Sequence, residues 1–196
     1  HRLLGPGHLV GGALGSTDIG YGELVTRLLG GFLDAGTGID TPADPLQLVL
    51  AVLGLPFLGN LDVTVRVLIL AAPIAAAIAA YACAGILVSR KWVRGFAGLL
   101  WLVAPLFVMG LSTGRLGVIL MWIAAPLFII ALTRSLRTGS VSAAAAAGLL
   151  LVVIIAGVPL MLVVGLVLTI ALVLRRRGLR HLWLLVPTLV LTWPWL

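Results

Sequence analysis

Long apolar runs separated by short basic clusters make up the chain from residue 63 to its end. The runs cover residues 63–88, 96–111, 116–133, 141–174 and 182–196. A helix of about 20 apolar residues crosses the hydrocarbon of a bilayer. Run 141–174 would make a helix of about 51 Å, too long for one crossing, so Gly157-Val158-Pro159 is predicted to divide it. The pattern predicts an all-α, multi-pass transmembrane bundle of about six helices over residues 63–196.

One short sequence motif occurs twice in this body. Residues 101–108 read WLVAPLFV and residues 122–129 read WIAAPLFI, each with a proline inside a predicted span (Pro105 and Pro126). Two kinked helices that pack on small residues would explain the repeat. Broken helices that frame a cavity, as in transporters, are the alternative. Because the repeat is only eight residues long, we favour packing.

Residues 1–62 have a different pattern and are predicted to form an extracytoplasmic head. Residues 17–35 carry apolar side chains at helical spacing, which predicts an amphipathic helix in the membrane interface. Residues 45–58 are apolar but too short for a crossing, and Gly54 and Pro56 interrupt them. We interpret them as a re-entrant or interfacial segment. If they cross instead, residues 1–44 move to the cytoplasm.

Charge is distributed as unevenly as hydropathy. All six acidic residues lie in the first 62 positions, the hydrophobic fraction is 62% and the net charge is +7. If the loops alternate sides, nine of the thirteen Lys and Arg residues fall on one side, which the positive-inside rule makes cytoplasmic. These cations lie between apolar runs rather than along one polar face, so a nucleic-acid partner is not expected and anionic lipid is. The predicted location is the plasma membrane.

Few residues of this chain are suited to catalysis. There is no phosphate-binding glycine loop, no cysteine pair and no nucleophilic serine elbow, and His1 and His8 are too few for a metal site. Asp18 and Glu23 flank the start of the predicted interfacial helix. Either carboxylate can act as a general base toward a sugar hydroxyl, or hold a divalent cation with a phosphate. Helix capping by Asp18 with a first-turn Glu23 is the alternative.

Two arginines lie on the side that has few cations. Arg66 follows Asp62 by one helical turn, and an i,i+4 ion pair explains it most simply. Arg115 lies in the turn STGRLG of the repeated hairpin. Its guanidinium suits a lipid phosphate, or it extends to the interface as an anchor.

Three segments follow one another in a characteristic order. They are an acidic outer loop, the run LDVTVRVLILAAPIAAAIAAYACAGILVSR, and an apolar hairpin with GRLG at its turn. This order resembles the membrane portion of bacterial cell-envelope glycosyltransferases of the GT-C type, including arabinofuranosyltransferase-like proteins. It is also similar to the polytopic membrane half of some family-2 glycosyltransferases. The first resemblance implies Asp18 or Glu23 as the base and Arg66 or Arg115 near the phosphate of a polyprenyl-linked sugar. The second would leave catalysis to a missing cytoplasmic domain.

The expected function is therefore that of a membrane module of a glycosyltransferase that uses lipid-linked sugars to build envelope glycans. A transporter or flippase subunit without catalysis is one alternative, and a structural membrane subunit is another. The chain begins with His1 rather than Met, so we expect further domains or subunits. No cofactor is identified beyond the divalent cation considered above.

Overall fold

A computed structural model describes residues 21, 22, 24, 25, 32–34, 40–42, 45–176 and 185–192. Strands β1 (Phe32–Asp34) and β2 (Asp40–Pro42) precede helix α1 (Pro45–Gly54), which runs into a 3₁₀ turn at Leu55–Phe57. The helices that follow are α2 (Leu61–Ala84), α3 (Lys91–Val103), α4 (Pro105–Thr113), α5 (Leu116–Thr138), α6 (Val141–Gly157), α7 (Met161–Arg176) and α8 (Leu185–Thr192). The predicted helical fold class is thus confirmed, with one short antiparallel hairpin added to it.

Helices α2 and α5 are long and apolar enough to cross a membrane. Helices α3 and α4 meet at a bend of 48° and would supply a third crossing if they act as one span. The predicted break at Gly157-Val158-Pro159 is confirmed, since α6 ends at Gly157 and α7 starts at Met161. The described residues therefore contain two candidate membrane spans, or three if the bent pair is one, judged by length and composition.

The two prolines of the repeat have different effects on the backbone. Ala104 leaves the helical region with ψ 129°, so Pro105 begins a new helix. This fits the bias of a residue before proline away from the helical region. Pro126 instead lies inside α5, which continues to Thr138. The expectation of two kinked helices thus describes the bend between α3 and α4, whereas α5 is one continuous helix.

Two tryptophans of the repeat hold these helices together. In an α-helix the carbonyl of residue i accepts from the N–H of residue i+4, and proline has no N–H. Pro105 and Pro126 follow Trp101 and Trp122 by four residues, so neither tryptophan carbonyl has its usual donor. The indole Nε1 of Trp101 donates to the Trp122 carbonyl at 3.1 Å, and that of Trp122 donates to the Trp101 carbonyl at 2.9 Å. Each repeat therefore satisfies the acceptor that the other repeat's proline has freed.

The main core surrounds this pair of tryptophans. The two rings stack with centroids 4.5 Å apart, and Phe107 lies against Trp122 at 6.3 Å. Buried residues of α2, α4 and α5 complete the cluster, namely Val65, Ala72, Ala76, Phe107, Leu116 and Ile119. Small alanines on α2 let the helices approach closely, as helices in lipid commonly do.

Helices α5 and α6 touch backbone to backbone at a pair of glycines. A Cβ built on Gly117 would lie 2.7 Å from the Gly157 Cα, and one built on Gly157 would collide with the Gly117 carbonyl oxygen. Gly117 is near the start of α5 and Gly157 ends α6, so the two helices run antiparallel. Only glycine fits this contact.

The predicted helix over residues 17–35 is wrong at its C-terminal end. Residues 21, 22, 24 and 25 are helical, but Phe32–Asp34 is a strand that pairs with Asp40–Pro42. Apolar spacing alone favoured one helix through Gly30 and Gly31, each about 1 kcal/mol worse than alanine in a helix. The connection over residues 35–39 contains Gly36 and Gly38, residues that favour hairpin loops.

The segment 45–58 forms a short helix against the body. Helix α1 and the 3₁₀ turn end at Leu58, which has φ 54°, and Asn60 then caps α2 by accepting from the Val63 amide. The segment is helical but shorter than the candidate spans. It packs against α2 and α6. Its placement relative to a bilayer stays a prediction.

Removing the indole N–H of Trp101 is expected to destabilise the protein. Trp101→Phe leaves the Trp122 carbonyl without a donor, at a cost of about 1–3 kcal/mol. Pro126→Ala restores a backbone N–H to that carbonyl, so Trp101→Phe should cost less in a Pro126→Ala background. The measurement is a double-mutant cycle on thermal unfolding in detergent, with the exposed Trp92→Phe as control. Equal costs of Trp101→Phe in both backgrounds would contradict this account.

A methyl group at the glycine contact is expected to separate α5 from α6. Gly117→Ala and Gly157→Ala should each lower stability by about 1–3 kcal/mol, as overpacking does. Gly95→Ala is the matched control, because a Cβ at Gly95 meets nothing within 4 Å. Differential scanning fluorimetry in detergent would compare the three. Unchanged melting temperatures of the Gly117 and Gly157 variants would show that the two helices can move apart without loss of stability.

Candidate functional site

The proposed catalytic carboxylates, Asp18 and Glu23, lie outside the described residues. The residues on either side of Glu23 are described, however. The Tyr21 hydroxyl donates to the Ala51 carbonyl at 3.1 Å, and Leu24 is buried with Ala51 and Leu61. This segment therefore packs on α1 and the N-terminal end of α2.

A close contact fixes the ring of Tyr21. Gly59 has φ +78°, and a Cβ there would lie 2.6 Å from Tyr21 Cγ. The absence of a side chain lets the ring lie against the backbone that leads into α2. The chain next to Glu23 is thereby fixed beside the helix end that carries Asp62 and Arg66.

Arg66 forms the ion pair that its spacing predicts. Its Nε lies 2.8 Å from Asp62 Oδ2, one turn earlier on α2. Both side chains are about one fifth exposed, so water screens the pair only in part. The positive charge of Arg66 is therefore largely balanced by Asp62, which weakens it as a phosphate ligand.

Arg115 lies at the start of α5 and is exposed. Its amide donates to the Gly110 carbonyl at 2.9 Å, and Gly114, with φ 68°, closes the turn from α4. The side chain therefore projects from a tight turn. It is the more accessible of the two predicted phosphate ligands.

Both predicted arginines lie at the same end of the helical body. Val65 of α2 and Leu116 of α5 share the main core, so the N-terminal ends of these helices are neighbours. Their C-terminal ends also share the lining of one cleft, which makes the helices parallel. The structure thus brings Arg66 and Arg115 to one end, although they are far apart in sequence.

The opposite end holds a cleft that the sequence did not reveal. Three arginines line it, Arg94 from α3 and Arg134 and Arg137 from α5. The remaining lining comes from Ala82 of α2, from Gly85 and Ile86 just after that helix, and from Ile130 and Thr133 of α5, around a volume of about 340 Å³. No carboxylate belongs to this lining in the described part of the chain. We call it the arginine cleft.

Neighbouring groups hold Arg94 in the cleft. Its Cζ lies 4.3 Å from the centroid of the Tyr81 ring, and its Nε donates to the Tyr81 carbonyl at 3.3 Å. A Cβ on Gly85 would lie 2.6 Å from its Nη2, so glycine makes room for the guanidinium. A cation held over an aromatic face loses little further freedom when it binds an anion.

A second cleft adjoins the first between α5 and α6. It encloses about 650 Å³ and shares Ile130 and Arg134 with the arginine cleft. Thr138, Ser140 and Ser142 line its polar part, and Leu127, Ala131, Ala143, Ala146 and Leu150 its apolar part. Arg134 thus stands at the boundary between a cationic space and an amphipathic one.

Charge-bearing and metal-binding groups are otherwise few. Among the described residues no group of three or more His, Cys, Asp or Glu side chains lies together. The divalent cation considered for Asp18 and Glu23 concerns residues outside that part. Searches against protein-family models, curated proteins and solved structures found no match to this chain.

Sequence reasoning found the arginines of the cleft but not their common site. Arg94, Arg134 and Arg137 were counted only among the nine cations predicted to face the cytoplasm, in the two separate loops SRKWVRG and RSLRTGS. The signal that could have joined them is the parallel arrangement of α2 and α5, which follows if α3 and α4 form one return crossing. Their basic C-terminal regions then meet at one membrane surface.

Cysteine labelling can test which end faces the cytoplasm. In a Cys83→Ala background, cysteines at Ser89 and Thr138 should react only from the cytoplasm, and one at Ser112 only from outside. All three positions are exposed, whereas the nearby Ser135 is buried. The positive-inside rule sets the expectation. Labelling of Ser89 from outside would reverse the orientation.

Proposed function

We propose that this chain is the membrane module of a glycosyltransferase that uses a polyprenyl-phosphate sugar in the plasma membrane. The chemistry would take place at the end of the body that carries Arg66 and Arg115. The roles given to the carboxylates and the arginines come from the resemblance to envelope glycosyltransferases. The observation that supports its placement is the docking of Tyr21 and Leu24 at this end.

In this proposal the carboxylate and the cation have separate roles. Glu23, or Asp18, takes the proton from the acceptor hydroxyl as a general base. The hydroxyl oxygen then forms the new glycosidic bond while the bond between the sugar and the phosphate breaks, and polyprenyl phosphate leaves. Arg115 binds the phosphate of the donor lipid, where a guanidinium forms two parallel hydrogen bonds. Arg66 holds Asp62 and helps to shape this end. The apolar helices surround the polyprenyl chain, which needs no polar partner.

A transporter remains the second candidate, but the structure weakens the main reason for it. That reason was that the repeated proline segments could frame a cavity. The Trp101 and Trp122 rings stack 4.5 Å apart between these segments, and the core closes around them. The repeat therefore favours packing over a substrate passage.

Loss of the Arg115 guanidinium is expected to weaken binding of the lipid carrier. A charge-assisted hydrogen bond contributes about 1.5–3 kcal/mol, so Arg115→Ala should raise the Kd for polyprenyl phosphate about ten- to a hundredfold. Arg115→Lys should restore only part, since it loses the two-pronged geometry. The Kd is measured with purified protein in detergent, alongside thermal unfolding of each variant.

Two controls separate phosphate binding from other effects. Lys91→Ala removes a cation from the opposite end and should leave this Kd unchanged. Glu23→Gln and Asp18→Asn should both leave carrier binding intact. Whichever of the two removes the general base should abolish sugar transfer. If Arg115→Ala binds the carrier as well as the unsubstituted chain does, Arg115 is an interface anchor.

A further inference from the structure

We propose that the arginine cleft is a binding site for the phosphate headgroup of an anionic phospholipid in the leaflet at that end. The lipid chain would follow the adjoining cleft between α5 and α6. This site is separate from the proposed sugar-transfer end and does not depend on it. The described core, which includes Val65 and Leu116 at one end and Trp122 deeper in the body, lies between them.

The charges of the cleft favour an anion. Three guanidinium groups share it, and among the described residues its lining has no carboxylate. Like charges in one cleft repel each other, so the arrangement favours binding of an anion. The helices that form the cleft carry one carboxylate, Asp62, which lies at the opposite end of α2 and pairs with Arg66. A phosphate provides both the charge and the oxygen acceptors that arginine binds in pairs.

The cleft is also preorganised for an anion. Arg94 is half-buried and held by the face and the carbonyl of Tyr81. An arginine that only extended to water would not need these contacts, nor the space that Gly85 leaves for it. Arg134 and Arg137 are exposed on the last turns of α5 and can close on a ligand from the other side. One fixed and two adaptable cations make a suitable phosphate site.

The adjoining cleft favours a lipid over a free phosphate. Arg134 and Ile130 line both clefts, so the cationic space continues into the space between α5 and α6. That second space changes from Thr138 and Ser142 to Leu127 and Leu150. Its polarity gradient matches a glycerol region followed by an acyl chain. Inorganic phosphate would use only the first space.

The test uses the full chain in nanodiscs of phosphatidylcholine with added phosphatidic acid, and native mass spectrometry to count retained phosphatidic acid. We expect at least one retained molecule. Arg134→Gln and Arg137→Gln should each weaken its binding about tenfold, the loss of one charge-assisted contact. Arg90→Gln and Lys91→Gln are the matched controls, because they remove the same charge at the same end outside the lining. They should change binding less than twofold.

A charge-neutral variant tests the geometry of the site. Gly85→Ala keeps every cation but places a Cβ against the Arg94 guanidinium. The guanidinium must then move from its position over Tyr81, so retention should weaken several-fold. Thermal unfolding checks that each variant folds. Leu127→Trp fills the second cleft and should reduce retention of phosphatidic acid without changing the binding of inorganic phosphate in detergent.

Each outcome decides between a site and a diffuse surface charge. If Arg90→Gln and Lys91→Gln weaken retention as much as Arg134→Gln does, the end attracts lipid only by its net charge and the proposal fails. If inorganic phosphate binds as tightly as phosphatidic acid and Leu127→Trp has no effect, the ligand is a free phosphate and the lipid assignment fails.

Discussion

The exchange of two indole hydrogen bonds between Trp101 and Trp122 is the constraint around which the helical body is arranged. In hydrocarbon no water can satisfy a backbone carbonyl that has lost its donor. Each proline removes one donor, and the opposite tryptophan replaces it. The bonds fix the rotation and height of α3 relative to α5. Phe107 of α4, and Val65 and Ala76 of α2, then pack against a surface that is already set.

Features that depend on local sequence were predicted well. The apolar runs predicted α2 and α5 because the hydrocarbon thickness sets a minimum helix length, and Gly157 with Pro159 predicted the end of α6. The Asp62–Arg66 ion pair was predicted because the two residues lie one helical turn apart. The different effects of Pro105 and Pro126 could not be predicted, because the flanking residues are nearly identical and tertiary packing decides between a bend and a continuous helix.

The predicted site was only partly accessible to sequence reasoning, for a related reason. Arg66 and Arg115 were recognised one at a time, and their common end became visible only when α2 and α5 proved parallel. The arginine cleft brings together Arg94 of α3 and Arg137 of α5, with α2 supplying part of the lining. Residue spacing along the sequence predicts neighbours on one helix, but it does not predict which separate helices come together. In the head, the apolar spacing over residues 17–35 outweighed the glycine pair at 30 and 31. The strand at Phe32–Asp34 shows that backbone preference should have counted more there.

The glycine contact between α5 and α6 limits how the sequence of these helices can vary. The two backbones touch at Gly117 and Gly157, and toward the other end of the same helices Ala147 and Leu151 pack against Phe128 and Leu132. A larger side chain at either glycine would push the helices apart and loosen this packing, because protein interiors are close-packed. A change at one glycine cannot be offset at the other, since both already carry the smallest side chain. Substitutions in this helix pair are therefore tolerated only at other positions.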